Sequence, residues 1–453
     1  MLFLRKFLTP GQTTATRLCP RPGRKAYVSM RGNFFTFLIT FMLLQQAAAA
    51  AQENDDAPWS ASPAVVEAAS RRNRDANFVE ANVPPYTLPD PLIASDGTRV
   101  TREKWPARRL EILKLFREHV YGRAPVERPE NISFKTLEAD ARDLNGRATR
   151  RLVEISFDTP HAGRFRFPVQ LYLPSQGTRP FPALVLLQFE GLTDRATPLI
   201  IDRGYALAIV DRRALAADDK AIFRDGVINA FSGKETLDND AWRAIAAWAW
   251  GASRVVDYLE TEPGIDAKRI GVAGHSRMGK TALWAAANDQ RFALALSNQS
   301  GCGGAALSRR IFGETVARIN TVFPHWFCEN FQRYNGRESE LPVDQHMLLA
   351  IIAPRRVYVT SADEDLWADP RGEFLSCFHA DPVYRLLGVP GLGEIPLTEW
   401  KGKSSGSSPQ MPPLGQSIHG GHIGYHVRPG AHAFTDYDWK RFLDFASADP
   451  QSR

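Results

Sequence analysis

Residues 274–280 read GHSRMGK, immediately after the apolar run RIGVA (269–273) and immediately before the alanine-rich TALWAAAND (281–289). A serine on a sharp turn between a buried strand and a helix is the arrangement of a nucleophile elbow, whose usual pattern is G-x-S-x-G. Here the second glycine stands one position late, so the short pattern alone leaves Ser276 open as a nucleophile or as a polar residue in a glycine turn. Gly274 allows a tight turn and Gly279 a close approach of helix to sheet. The late glycine is tolerable if Arg277 has a task of its own.

Outward from this turn the order of elements repeats. FPALVLLQF (181–189), YALAIVDRR (205–213), FALALSNQS (292–300) and RRVYVTSA (355–362) are mostly continuous apolar runs. Strands look like this when helices cover both faces of a parallel sheet. Between them lie helical stretches, notably 240–261 and 278–289. RLVEISF (151–157) and FRFPVQLYLP (165–174) alternate and predict an antiparallel opening pair. Upstream, ARRLEILKLFREHVYG (107–122) carries a helical stripe at Leu110, Ile112, Leu113, Leu115, Phe116 and Val120 that Gly122 closes. The fold class expected is α/β: a three-layer sandwich with a mostly parallel central sheet and helices on both faces. Ligands bind such sheets at the carboxyl ends of the strands, where Ser276 stands.

The net charge of +6 belongs to the first residues. Positions 1–51 hold seven basic residues and no acid, leaving 49 basic against 50 acidic in the remaining 402 residues. Neither a nucleic-acid partner nor an anionic membrane is therefore expected. From Met30, the stretch MRGNFFTFLITFMLLQQAAAAA has a positive start, an apolar core too short to span a bilayer and small residues suited to cleavage. It reads as a secretory signal peptide over 30–51 behind an upstream extension, with an organellar presequence as the rival, and export to the periplasm or medium is expected. Residues 52–84 read as a flexible N-terminal segment and 85–450 as one catalytic domain, expected to act as a monomer. Without Cys19, the cysteines Cys302, Cys328 and Cys377 allow at most one intramolecular disulfide, and structural packing is the expected role of all three.

A serine hydroxyl needs a base to take its proton and a third group to orient that base. In α/β-hydrolases the chain order is serine, acid, histidine. The run DEDLWADP after RRVYVTSA offers Asp363, Glu364, Asp365 and Asp369, of which three at least are expected to be solvated surface carboxylates. Near the end, HGGHIGYHVRPGAH offers His419, His422, His426 and His432. No acid or cysteine completes an obvious metal set, and no metal or other cofactor is expected. IGYHV reads as the last strand with His426 on it, RPGA as a turn, and His432 as the loop histidine best placed to be the base. Thr435 is expected to cap a closing helix, with Asp438 three residues on.

GHSRMGK, SNQSGCGGAALSRR, ADEDLWADP and GYHVRPGAH together resemble the bacterial glucuronoyl esterases of carbohydrate esterase family 15, from about Pro85 through Phe445. The resemblance implies an α/β-hydrolase that needs no cofactor and cleaves esters joining 4-O-methyl-glucuronic acid of xylan to lignin alcohols. It implies Ser276 as nucleophile, His432 as base, Asp365 as acid, and Arg277 as the donor facing the oxyanion. Lys280, Glu314 and Trp367 match the family's sugar-contacting residues. One departure is Gln299, which stands where many members carry an acid. His275 and Ala433 stand where the fungal branch has a bridging disulfide. Two other readings stay open: an acetyl-xylan or other carbohydrate esterase on the same triad, and a non-catalytic carbohydrate-binding homologue.

Overall fold

The computed structural model describes residues 59–124, 128–393, 397–400 and 406–448, so the leader expected over 1–51 lies outside the described residues. Alternation of the apolar runs dictates the layering. Within β4 (Phe181–Gln188), Ala183, Val185 and Leu187 join one core while Leu184 and Leu186 join another on the opposite face. Both cores are closed by helices, so nearly every side chain of the strand is buried. Each such Leu or Val contributes about 1.5–3 kcal/mol relative to an exposed position.

Upstream of β4, β1 (Ser133–Arg142), β2 (Ala148–Thr159) and β3 (Gly163–Pro174) form an antiparallel run, the expected pairing of β2 with β3 setting Phe157 opposite Phe165. Downstream come β5 (Ala206–Asp211), β6 (Ile265–His275), β7 (Phe292–Asn298) and β8 (Arg356–Ala362). A separate pair, β9 (Leu397–Trp400) and β10 (Gly406–Pro409), precedes β11 (Ser417–Ile418) and β12 (Ile423–Arg428). The large sheet runs β1-β2-β3-β5-β4-β6-β7-β8-β12-β11 and is parallel from β5 through β12. This is the expected α/β architecture, with Ser276 at the carboxyl end of a central strand.

The longest described helices are α1 (Pro63–Arg72), α2 (Trp105–Phe116), α3 (Ala244–Leu259), α4 (Arg277–Asn288), α5 (Pro370–Leu386) and α6 (Asp436–Ser447). Every residue of α3 is buried, which its small Ala and Gly residues permit. On the other face, Trp439, Phe442 and Phe445 of α6 pack on Leu184, Leu296 and Tyr358. Thr435 and Asp438 form the expected capping box that starts α6.

The structure departs from the expected flexible segment at 52–84, whose described part begins at Trp59. Ser62 caps α1, and Trp59, Val65 and Val66 pack with Phe78, Phe312 and Leu366. Farther along, both oxygens of Glu80 accept from Arg310, at 3.1 and 2.8 Å. Arg310 is 2% exposed and needs anionic partners once buried; Asp369 supplies the other, at 2.8 Å. Asp369 is thus a buried counter-ion, not the solvated carboxylate expected.

Candidate active site

The turn at Ser276 is built by contact as much as by conformation. A Cβ on Gly274 would lie 2.1 Å from the Met278 carbonyl oxygen, and one on Gly279 would crowd Ser300 Cβ at 3.1 Å and the Asn298 carbonyl at 3.2 Å. The glycine one place late is therefore the residue through which α4 approaches the end of β7, while Met278 is buried in the core. Ser276 itself has φ 56° and ψ −124°, a sparsely populated combination for a non-glycine residue. Such strain is what pushes an elbow serine clear of the sheet.

β12 and the turn after it bring His432 back to this point. Its Nδ1 lies 2.6 Å from Asp365 Oδ2, and its ring lies against that of His275, the residue before Ser276, with centroids 4.5 Å apart. Asp365 is buried and the imidazole side chain 41% exposed, so the carboxylate grips the inner nitrogen while the ring's outer edge stays open. Burial, with the charge of His432, pushes His275 down to about 4, so this neighbour stays neutral beside that imidazole. The competing acids have other tasks. Asp363 accepts from Gly430 N–H at 2.7 Å, Asp369 pairs with Arg310, and Glu364 is exposed. Among the remaining histidines, His426 bonds Asp438 and Tyr358, His419 bonds Tyr358, and His422 bonds the Pro354 carbonyl.

Arg277 is anchored. Its Nη1 pairs with Asp218, and its guanidinium carbon stands 4.7 Å from the Trp326 ring centre and 5.5 Å from those of Phe189 and Phe323. Asp218 also accepts from Trp326 Nε1 at 2.6 Å and His325 Nε2 at 2.8 Å, with Arg212 at 3.3 Å. Burial pushes this carboxyl up, but the bonds from His325 and Trp326 and the two arginine charges outweigh it. The group is held well below the usual carboxylate range. Sequence reasoning missed Asp218, which lies 59 positions from Arg277 with no local pattern to mark it.

Lys280, one turn after Ser276, is buried. Its Nζ donates to the carbonyls of Ser300 (2.5 Å) and Cys302 (2.6 Å) and faces Glu314 Oε2 at 3.9 Å. Burial lowers the lysine and raises the glutamate, each against the pull of the other's charge. Trp367 bonds the Glu314 side chain, and its carbonyl accepts from Glu314 N–H at 3.0 Å. Lys280 thus faces Glu314, Glu314 bonds Trp367, Asp365 bonds His432, and His432 lies against His275, the residue before Ser276. Glu373 of α5 accepts from Gly301 N–H (3.0 Å) and Ser361 Oγ (2.6 Å). Cys302, Cys328 and Cys377 are buried and unbridged.

The chain and its fold have known counterparts. A family described as glucuronyl esterase, fungi, matches residues 159–388. Carbohydrate esterase MZ0003, from an unknown prokaryotic organism, is 41% identical over 86% of this chain and 94% of its own length. The 4-O-methyl-glucuronoyl methylesterase of Schizophyllum commune is 31% identical over 73% of this chain and 81% of its own. Among solved structures, a glucuronoyl esterase from Solibacter usitatus superposes with a TM-score of 0.73 at 38% identity, covering 81% of this chain and 99% of that one. With sequence and fold in agreement, the chain belongs to the glucuronoyl esterases, carboxylic ester hydrolases of the α/β-hydrolase fold.

Proposed function

We propose that this protein is an exported serine esterase that hydrolyses the ester between 4-O-methyl-D-glucuronic acid of glucuronoxylan and lignin alcohols. The observation that carries it is the 2.6 Å pairing of His432 with Asp365, with that imidazole lying against His275 beside the strained Ser276 turn. Ser276 Oγ attacks the ester carbonyl as His432 takes its proton, and Asp365 holds the imidazole and stabilises the imidazolium. The Arg277 N–H opens α4 and faces the oxyanion, and the guanidinium held by Asp218 adds positive charge there. One such donor is worth about 3 kcal/mol in comparable sites. The protonated histidine then gives its proton to the departing alcohol, and water activated by His432 releases the uronate.

Lys280, Glu314 and Trp367 form the sugar side of the site. The esterified carboxyl is neutral, so hydroxyl recognition needs no buried ion pair with the substrate. Lys280 has two N–H bonds committed to backbone carbonyls, which leaves Glu314 and the Trp367 face as the freer contacts. Support also comes from the methylesterase named among the relatives and from the signal-like stretch at 30–51. Kinetics on benzyl glucuronate and acetylated xylan test the reading. Turnover of the glucuronate ester, abolished in Ser276→Ala, is expected; preference for acetylated xylan would move the protein to an acetyl esterase, and full activity of Ser276→Ala would remove the mechanism.

A further inference from the structure

Gln299 stands one residue beyond β7 with φ 47°, in the left-handed region, and is 1% exposed. Its N–H donates to the Thr360 carbonyl at 2.8 Å, which fixes it between the ends of β7 and β8. Its side chain spends both polar ends on one residue. Gln299 Nε2 donates to the Ala433 carbonyl at 3.0 Å, and Ala433 N–H donates to Gln299 Oε1 at 2.9 Å. A primary amide facing a peptide unit in this way fixes distance and orientation together, because one bond cannot slide without straining the other. Ala433 directly follows His432.

From this geometry we infer that Gln299 is a positioning residue for His432, locking the loop that carries the base rather than acting on the proton itself. The inference rests on His432 being the base. The opposite side of the loop is held by Arg428, which donates to the carbonyls of Ala431 (3.0 Å) and Ala433 (2.7 Å) and is itself held by Asp438 at 3.0 Å. Asp363 holds Gly430. Arg428, held by Asp438, therefore holds Ala433 from the β12 side, and Asp363 fixes the stem of the loop. Among the described residues, Gln299 ties Ala433, beside the imidazole, to the end of β7, the strand next to the one that carries Ser276, and shares the Ala433 carbonyl with Arg428. The Asp365–His432 bond sets the tilt of the ring; the amide sets where the ring's backbone stands relative to the serine. An amide does this without charge, and so without competing with Asp365 for the imidazolium.

The test uses the full-length protein and benzyl glucuronate. Gln299→Met keeps length and volume but removes both bonds. It is expected to lower kcat about ten- to a hundredfold, the order that a displacement near 1 Å produces, with KM changed less than threefold. Gln299→Glu retains the bond from Ala433 N–H and should fall between wild type and Gln299→Met. Independently of activity, the proton on His432 Nδ1 should give a far-downfield NMR signal that broadens or moves upfield in Gln299→Met while the melting temperature stays close to wild type. A Gln299→Met variant with kcat within twofold and an unchanged signal would overturn the inference. So would a Gln299→Glu variant faster than wild type, which would make charge, not the clamp, the role of this position. Loss of kcat together with a large fall in melting temperature and an unshifted signal would reduce Gln299 to a structural residue. If wild type shows no turnover, or His432→Ala keeps it, the esterase reading falls instead, and the NMR signal still decides the clamp.

Discussion

Asp218→Asn separates the anchoring of Arg277 from its charge. Asp218 Oδ1 takes the bonds from His325 and Trp326, and Oδ2 faces Arg277 and Arg212. Asparagine has one acceptor oxygen, so either orientation of its amide sets an NH2 group against two donors. The two arginines also lose their shared counter-ion. Breaking a buried pair costs about 3–5 kcal/mol; because the Arg277 side chain is 28% exposed, the lower end applies. For catalysis, a misdirected oxyanion donor costs about a hundredfold in kcat. Benzyl glucuronate kinetics and urea unfolding on the same preparation should show both losses, with KM little changed. Since folding holds this carboxyl below its ordinary range, its contribution is present above about pH 4 and is lost as pH falls through the folded value. Wild type should therefore lose more stability on acidification than Asp218→Asn does. A folded Asp218→Asn enzyme with kcat within twofold of wild type would refute the claim that Arg277 needs this anchor.

Asp365→Asn should lower kcat by about a thousandfold or more with the fold intact, read by the same kinetics and by circular dichroism. Gly274→Ala should unfold the elbow, since its methyl would meet the Met278 carbonyl at 2.1 Å; soluble yield and melting temperature check this. Glu373, pushed up to about 8 by burial against the bonds that lower it, is protonated in the folded protein at pH values where the unfolded chain has released its proton. Its contribution is complete below about pH 4.3 and declines as pH rises toward 8. Glu373→Gln should flatten that decline in unfolding free energy, by a few kcal/mol at most.

Much of this was legible because it is local. The buried strands announce themselves as apolar runs, and the elbow glycines by their spacing to Ser276. His432 could be chosen because His426 had to lie on a strand, as it does in β12. What stayed hidden depends on partners far away in the chain. Asp218 sits in AADDKAIF with nothing to set it apart from Asp219 until the fold lays it beside Arg277. Glu80 lies in a polar stretch that reads as flexible, and only the burial of Arg310, 230 positions later, gives it a place. Gln299 reads in the sequence only as a missing acid, but its two bonds to Ala433 follow from the meeting of β7 with the last loop. Asp365 could be picked from four carboxylates only through the family resemblance, since local sequence gives all four the same chemistry.

The whole chemical reading turns on one hydroxyl becoming nucleophilic beside one imidazole. Incubation with a fluorophosphonate, followed by peptide mass mapping, reads this directly. A single adduct on Ser276 is expected, with labelling that tracks the loss of benzyl glucuronate hydrolysis and is absent in His432→Ala. An adduct elsewhere, or full esterase activity after Ser276 is modified, would contradict it.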